Sequence, residues 1–225
     1  MTQLFQTKVC GITSIEDAKM CVEAGVDAIG LNFFHASPRS ISSQLAITIA
    51  EAVRGEIKLV GLFVNETLEV IRDLQTAIGF DYIQLHGDED PYYLKNLSPL
   101  PIIKAFRCQS TDPTQIIDYL AACTTFDVTI QAILLDAYQP GAYGGTGQQL
   151  DWETLNFKDS YFGGYPVVLA GGITDENVID AIMTARPQAV DTASGVESAP
   201  GRKDHDKVRG FSKRARLTFD SLETN

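Results

Sequence analysis

The chemistry this sequence offers rests on one cysteine, one aspartate and two glycine-containing turns. Cys10 closes the short run Thr7-Lys8-Val9-Cys10 and is followed at once by Gly11 and then by Thr13, a helix-capping type. A free cysteine is most often a small buried hydrophobe; as a thiolate it is a base or a nucleophile. Both readings stay open until the end of that run is placed in a fold. Asp136 follows the apolar run Ile133-Leu134-Leu135. A carboxylate desolvated on one side has a raised pKa and serves as an acid near neutrality; the alternative is a carboxylate that caps a turn. Gly171-Gly172 and Ser194-Gly195 leave main-chain N–H groups open to an anion, although glycines also make ordinary turns. Arg39, after Ser37-Pro38, has a planar fork suited to a carboxylate or phosphate, or is a surface arginine. His86 reads as a wall residue with one hydrogen-bond partner ahead of a proton carrier, and Asp191 as a loop-orienting residue ahead of one in proton traffic. His35 and His205 are assigned nothing, and Phe33, Phe34 and Tyr138 read as core or pocket lining.

These residues need elements to hold them. Eight short runs, apolar on both faces as covered parallel strands are, fall at 7–10, 28–32, 58–64, 82–85, 102–106, 132–136, 167–170 and 189–191. Helical patterns lie between them. Thr13 and Glu16 read as a capping box, Asn65-Glu66, Asp112-Pro113 and Thr174-Asp175 as helix starts, and Pro91 as a first-turn proline. A last helix is expected over about 204–217. The glycine-rich stretch 139–147 reads as a long loop, with a helix beginning near Asp151. Eight strand–helix units across 1–225 predict a single-domain (β/α)8 TIM barrel. An open doubly wound sheet would carry G-x-G-x-x-G after its first strand, and Cys10-Gly11-Ile12-Thr13 does not match. In a barrel, strand ends and the loops after them build the site, and the loops after strands seven and eight often hold a phosphate. Every residue singled out above lies at such an end.

Composition narrows the partners. A net charge of -11 argues against a nucleic-acid-binding face but not against a small phosphorylated substrate, which needs only a local nest of donors. No apolar run reaches the ~18 residues of a membrane span, and the N-terminus lacks the basic and apolar regions of a signal peptide. Cys10, Cys21, Cys108 and Cys123 form no C-x-x-C pair and have no histidine at zinc spacing. They read as reduced thiols of a cytoplasmic protein without a metal site, and a monomer is the default expectation.

Taken in order, Lys8-Val9-Cys10-Gly11-Ile12-Thr13, Ser37-Pro38-Arg39-Ser40, Gly61-Leu62-Phe63-Val64-Asn65, Gln84-Leu85-His86-Gly87, Leu135-Asp136, Gly144-Gly145-Thr146-Gly147, Leu169-Ala170-Gly171-Gly172 and Ser194-Gly195-Val196-Glu197 resemble the phosphoribosylanthranilate isomerase family. The first and last of these motifs are specific to it. The resemblance implies a (β/α)8 barrel and an aldose–ketose isomerase of tryptophan biosynthesis. Such enzymes turn N-(5-phosphoribosyl)anthranilate into 1-(2-carboxyphenylamino)-1-deoxyribulose 5-phosphate by an Amadori rearrangement, without cofactor or metal. By residue match it makes Cys10 the general base, Asp136 the general acid and Arg39 the holder of the anthranilate carboxylate. Gly171, Gly172, Ser194 and Gly195 would hold the phosphate. The family often carries serine where this chain has Ala193 and lysine where it has Gln148. A thiolate base is helped by some lowering of its pKa, to which the helix opening at Thr13 contributes if its N-terminus faces the sulfur. The remaining readings are another phosphosugar barrel, such as an epimerase, and a non-catalytic phosphosugar-binding barrel.

Overall fold

The computed structural model describes residues 4–108, 113–137 and 162–223. Eight strands, β1 (Thr7–Cys10), β2 (Ala28–Asn32), β3 (Lys58–Phe63), β4 (Tyr82–Leu85), β5 (Ile102–Cys108), β6 (Ala132–Ala137), β7 (Val167–Leu169) and β8 (Ala189–Thr192), pair in parallel in chain order. β1 pairs with β8 and closes the barrel. Around it lie α1 (Ile15–Glu23), α2 (Ser43–Ala52), α3 (Leu68–Ile78), α4 (Pro91–Leu97), α5 (Thr114–Thr125), α6 (Val178–Ala185) and α7 (His205–Glu223). The expected strand runs all land on barrel strands, with ends displaced by one or two residues. The expected loop over 139–147, the helix near Asp151, Tyr138, Gln148 and Asp112 fall outside the described residues.

Side chains alternate across each strand, which sorts them into two layers. Val9, Ile29, Leu31, Ile83, Leu85, Leu135, Leu169 and Val190 face the helices. Their neighbours in sequence point into the barrel, where Ala28, Val60, Tyr82, Ile103, Ala105, Ala132, Leu134, Val168 and Ala189 fill the lower interior. Each buried aliphatic chain stabilises the fold by roughly 1.5–3 kcal/mol. The same alternation directs Lys8, Cys10, Gln84, Asp136 and Asp191 inward, above that apolar floor.

Helix starts differ in detail from the sequence reading. α1 is capped by Ser14, whose hydroxyl oxygen accepts from the Asp17 N–H at 3.0 Å, in place of the Thr13–Glu16 box. The Thr13 hydroxyl instead donates to the carbonyl of Gly201. Thr67 rather than Asn65-Glu66 caps α3. α6 begins after Asn177, because Thr174 spends its hydroxyl on the N–H groups of Glu176 and Asn177 in a turn before the helix. Asp90 and Pro91 open α4 as the proline predicts. After β8 come a 3-10 turn, Ser194–Val196, and a hairpin of β9 (Glu197–Ala199) and β10 (Arg202–Lys203). The sequence reading did not include this hairpin; strands of two and three residues carry no periodicity to read.

Candidate active site

One cavity opens at the C-terminal ends of the strands. All nine residues singled out in the sequence line it: Cys10 from β1, Arg39 after β2, His86 after β4, Asp136 on β6, Gly171 and Gly172 after β7, Asp191 on β8, and Ser194 and Gly195 beyond it. Asn32, Gln84, Thr192 and Ala193 also line it and were not picked out as site residues.

Cys10 is buried, and its room comes from the neighbouring strand. Gly30 sits opposite it in register, and a Cβ at Gly30 would lie 2.7 Å from the Cys10 sulfur. Two residues earlier on the same face, Lys8 is 0% exposed and its Nζ donates to Asp191 Oδ2 at 2.9 Å. Burial pushes the Cys10 thiol above its ordinary value, with Asp191 adding to the rise and the ammonium groups of Lys8 and Lys203 opposing it. The expected lowering is therefore not the resting state of the site. The cations that act on the sulfur come from β1 and from the β9–β10 hairpin.

Asp136 is also buried. Its Oδ1 accepts from the N–H of Ala137 at 2.9 Å, and its Oδ2 stands 3.4 Å from His86 Nε2. The two atoms make no hydrogen bond, and among the described residues His86 Nε2 has no other partner. On its other side His86 meets Gln84, Nδ1 to Nε2 at 3.4 Å. The turn after β7 runs hard against this carboxylate. Gly171 has φ +79°, and a Cβ there would lie 2.6 Å from the Ala137 nitrogen and 3.2 Å from Asp136 Oδ1. Three buried polar atoms of cavity residues, Gln84 Oε1, His86 Nε2 and Asp191 Oδ1, have no hydrogen-bond partner among the described residues.

Arg39 is 7% exposed, which removes the surface reading. Its Nε and Nη2 donate to the two oxygens of Glu197 at 2.8 and 2.7 Å. Glu197 also accepts from Lys203 Nζ at 2.8 Å, and Lys203 donates further to the carbonyls of Cys10 (2.7 Å) and Ala193 (3.1 Å). Burial alone would raise the Glu197 carboxyl, but Arg39 and Lys203 together hold it below the usual range. The hairpin thus ties the turns after β1, β2 and β8 to one another. The turns after β7 and β8 are joined as well. Thr192 Oγ1 donates to the Ile173 carbonyl at 2.6 Å, and a Cβ on Gly195 would collide with that same oxygen. Below His86, Lys104 Nζ donates to Glu89 and to the Gly87 carbonyl, both at 2.8 Å, and Glu89 accepts from the Asn65 N–H at 2.9 Å. These bonds pin the β4 and β3 turns.

Lys8, Glu197 and Lys203 were not among the candidates. Lys8 carried a usable signal, a charge at an inward position of a covered parallel strand. Glu197 stood only inside a motif, and Lys203 had no signal without the hairpin. Among the described residues no group of three His, Cys, Asp or Glu side chains is placed to hold a metal ion.

The molecule belongs to the class of (β/α)8 barrels whose strand-end cavity joins an ionisable thiol and a carboxylate to glycine turns after the seventh and eighth strands. Within that class the comparisons are specific. The family profile described as N-(5'-phosphoribosyl)anthranilate (PRA) isomerase matches residues 7–214, and the chain belongs to that family. It is 44% identical over 213 residues to N-(5'-phosphoribosyl)anthranilate isomerase of Trichlorobacter lovleyi, covering 95% of this chain and 98% of the relative. It is 43% identical over 216 residues to the Geobacter sulfurreducens protein of the same name, covering 95% of this chain and 99% of the relative. The crystal structure of phosphoribosyl anthranilate isomerase from Thermotoga maritima superposes with a TM-score of 0.83 at 35% identity, over 95% of this chain and 100% of that one. A structure of the isomerase in complex with reduced 1-(o-carboxyphenylamino)-1-deoxyribulose 5-phosphate superposes with a TM-score of 0.79 at 34% identity, over 95% and 100% of the two chains.

Proposed function

We propose that this protein isomerises N-(5-phosphoribosyl)anthranilate to 1-(2-carboxyphenylamino)-1-deoxyribulose 5-phosphate, the Amadori step of tryptophan biosynthesis. The observation that carries the reading is that Cys10, Asp136, Arg39 and the glycine turns after β7 and β8 line a single cavity. The reaction needs an acid at the furanose ring oxygen and a base at C2′. Asp136 gives its proton to the ring oxygen, and the ring opens to an iminium at C1′. That cation acidifies the C2′ proton, which Cys10 removes as a thiolate. The resulting enolamine tautomerises to the ketone.

The barrel order fits the length of the substrate. β7 and β8 lie between β6 and β1, so the phosphate turns stand between acid and base. The turn after β2 lies beyond β1, which puts Arg39 at the far end. Phosphate would rest on the main chain of Gly171, Gly172, Ser194 and Gly195. The anthranilate carboxylate would face the Arg39 guanidinium, whose other face of contact is Glu197. Ala193 supplies no hydroxyl there, so the phosphate contacts near it are main-chain contacts. His86 and Asp191, on the cavity wall, would hydrogen-bond the substrate. The four cysteines are free, which supports a reducing, cytoplasmic setting, and the reading takes a monomer as the working unit.

The test is direct. Purified protein added to freshly prepared phosphoribosylanthranilate should speed the loss of anthranilate-type fluorescence, with the aminodeoxyribulose phosphate as product by mass and chromatography. No acceleration over the buffer rate overturns the reading.

A further inference from the structure

We propose that Lys8, clamped by Asp191, is the positioning residue that makes Cys10 a base: its ammonium is the counter-charge of the Cys10 thiolate. The proposal rests on the isomerase reading for its catalytic consequence but not for its physical content. Lys8 and Asp191 are direct cross-strand partners where β1 and β8 close the barrel. Their ion pair, 2.9 Å from Nζ to Oδ2, lies inside the barrel, with side chains 0% and 8% exposed. As a packing device it is inferior, because two apolar side chains of that volume would stabilise the interior as well or better. Its placement explains it. Lys8 stands two residues before Cys10 on the inward face of β1, so its buried ammonium and the sulfur share one side of the strand, and its positive charge opposes the rise that burial imposes on the thiol. The opposite neighbour, Gly30, gives the sulfur space and no polar atom.

The other charges around Cys10 are accounted for. Lys203 donates to the carbonyl of Cys10, not to its sulfur, and shares the counter-charge of Glu197 with Arg39. Asp136 and His86 line the same cavity from β6 and the β4 end. Asp191 turns one oxygen to Lys8, and its other oxygen has no hydrogen-bond partner among the described residues. The Lys8–Asp191 pair is therefore a buried dipole whose positive end comes from the strand and the face that carry Cys10. When Cys10 loses its proton to solvent through the cavity, a thiolate replaces a thiol beside a cation already in place. When the thiolate takes the C2′ proton, the site returns to its resting charge.

Two single variants separate this from general loosening, because they should move Cys10 in opposite directions. Alkylation of Cys10 by iodoacetamide, followed across pH by peptide mass spectrometry on the free protein, reports its ionisation. In Lys8→Met the midpoint should rise by about one unit or more. In Asp191→Asn it should fall, since Lys8 then faces the sulfur without a competing carboxylate. Lys8→Met should also lower kcat about 100-fold or more, with KM within about threefold of wild type. Unchanged midpoints in both variants, or a rise in Asp191→Asn, overturn the proposal. If Lys8→Met does not fold, the direction of the Asp191→Asn shift decides. Turnover by the wild type is measured alongside: its absence overturns the isomerase reading, while the alkylation midpoints still judge Lys8.

Discussion

Cys10 and Asp136 carry the proton transfers only if the side chains, not the backbone around them, do the work. The Cys10 carbonyl has a separate duty, holding Lys203, whereas the Asp136 carboxylate is itself held by the Ala137 N–H. Cys10→Ala keeps the carbonyl, so its fold should be intact while kcat falls by about 100-fold or more. Asp136→Ala should fall as far. Near-normal turnover by either purified variant would remove that residue from the mechanism. Gly30 is a sharper probe, because it touches no substrate in this reading. Gly30→Ala puts a methyl 2.7 Å from the position of the sulfur, and the sulfur must move. A misplacement of about 1 Å costs about 100-fold in rate, so kcat should fall with little change in KM. Wild-type kcat in Gly30→Ala would mean that the position of the thiol does not matter. The cavity residues were readable one at a time because each stands at the end of a strand run. Gly30 was not, since its significance lies in β1–β2 register and not in its own neighbourhood.

At the level of elements, the barrel strands were legible because fully covered strands are short apolar runs, and this chain has eight of them. Helix starts were less so. Thr13, Thr174 and Asn65 all have the right side chains for caps, yet tertiary partners or turn geometry use them otherwise, and Ser14, Asn177 and Thr67 take the position. The β9–β10 hairpin was invisible, and it is the element that sets the site's rim. Lys203 on β10 joins the Cys10 and Ala193 carbonyls to Glu197. Lys203→Met leaves two carbonyls and part of a buried carboxylate without their donor. A loss of about 3 kcal/mol is expected in urea unfolding, as for a broken buried pair. Because Ala193 adjoins Ser194 and Gly195, KM should rise more than kcat falls. A variant that loses stability but keeps its KM would show that the hairpin supports the fold without shaping the phosphate turn.

For the whole molecule, an acidic chain of net charge -11 buries three cations inside and around the strand ends of the barrel. Arg39, Lys203 and Lys8 are buried there against two carboxylates, Glu197 and Asp191. The two carboxylates pull the stability of the fold in opposite directions with pH. Burial raises Asp191, with Lys8 only partly offsetting it, so its contribution falls as pH rises from about 3.9 through its folded value. Glu197 is held below the usual range, so its contribution is complete above the unfolded value of about 4.3 and is lost as pH falls through its lower folded value. Glu197→Gln removes that second dependence and the carboxylate charge that Arg39 and Lys203 share. The stability gap between wild type and variant in urea unfolding should be about 3–5 kcal/mol near neutrality. It should stay level down to about pH 5 and close progressively as pH falls through the unfolded value of about 4.3 and then the lower folded value, where wild-type Glu197 becomes protonated as well. A gap that does not change between those limits would mean that the hairpin is held by shape alone, with Glu197 adding no charge-dependent stability to the barrel.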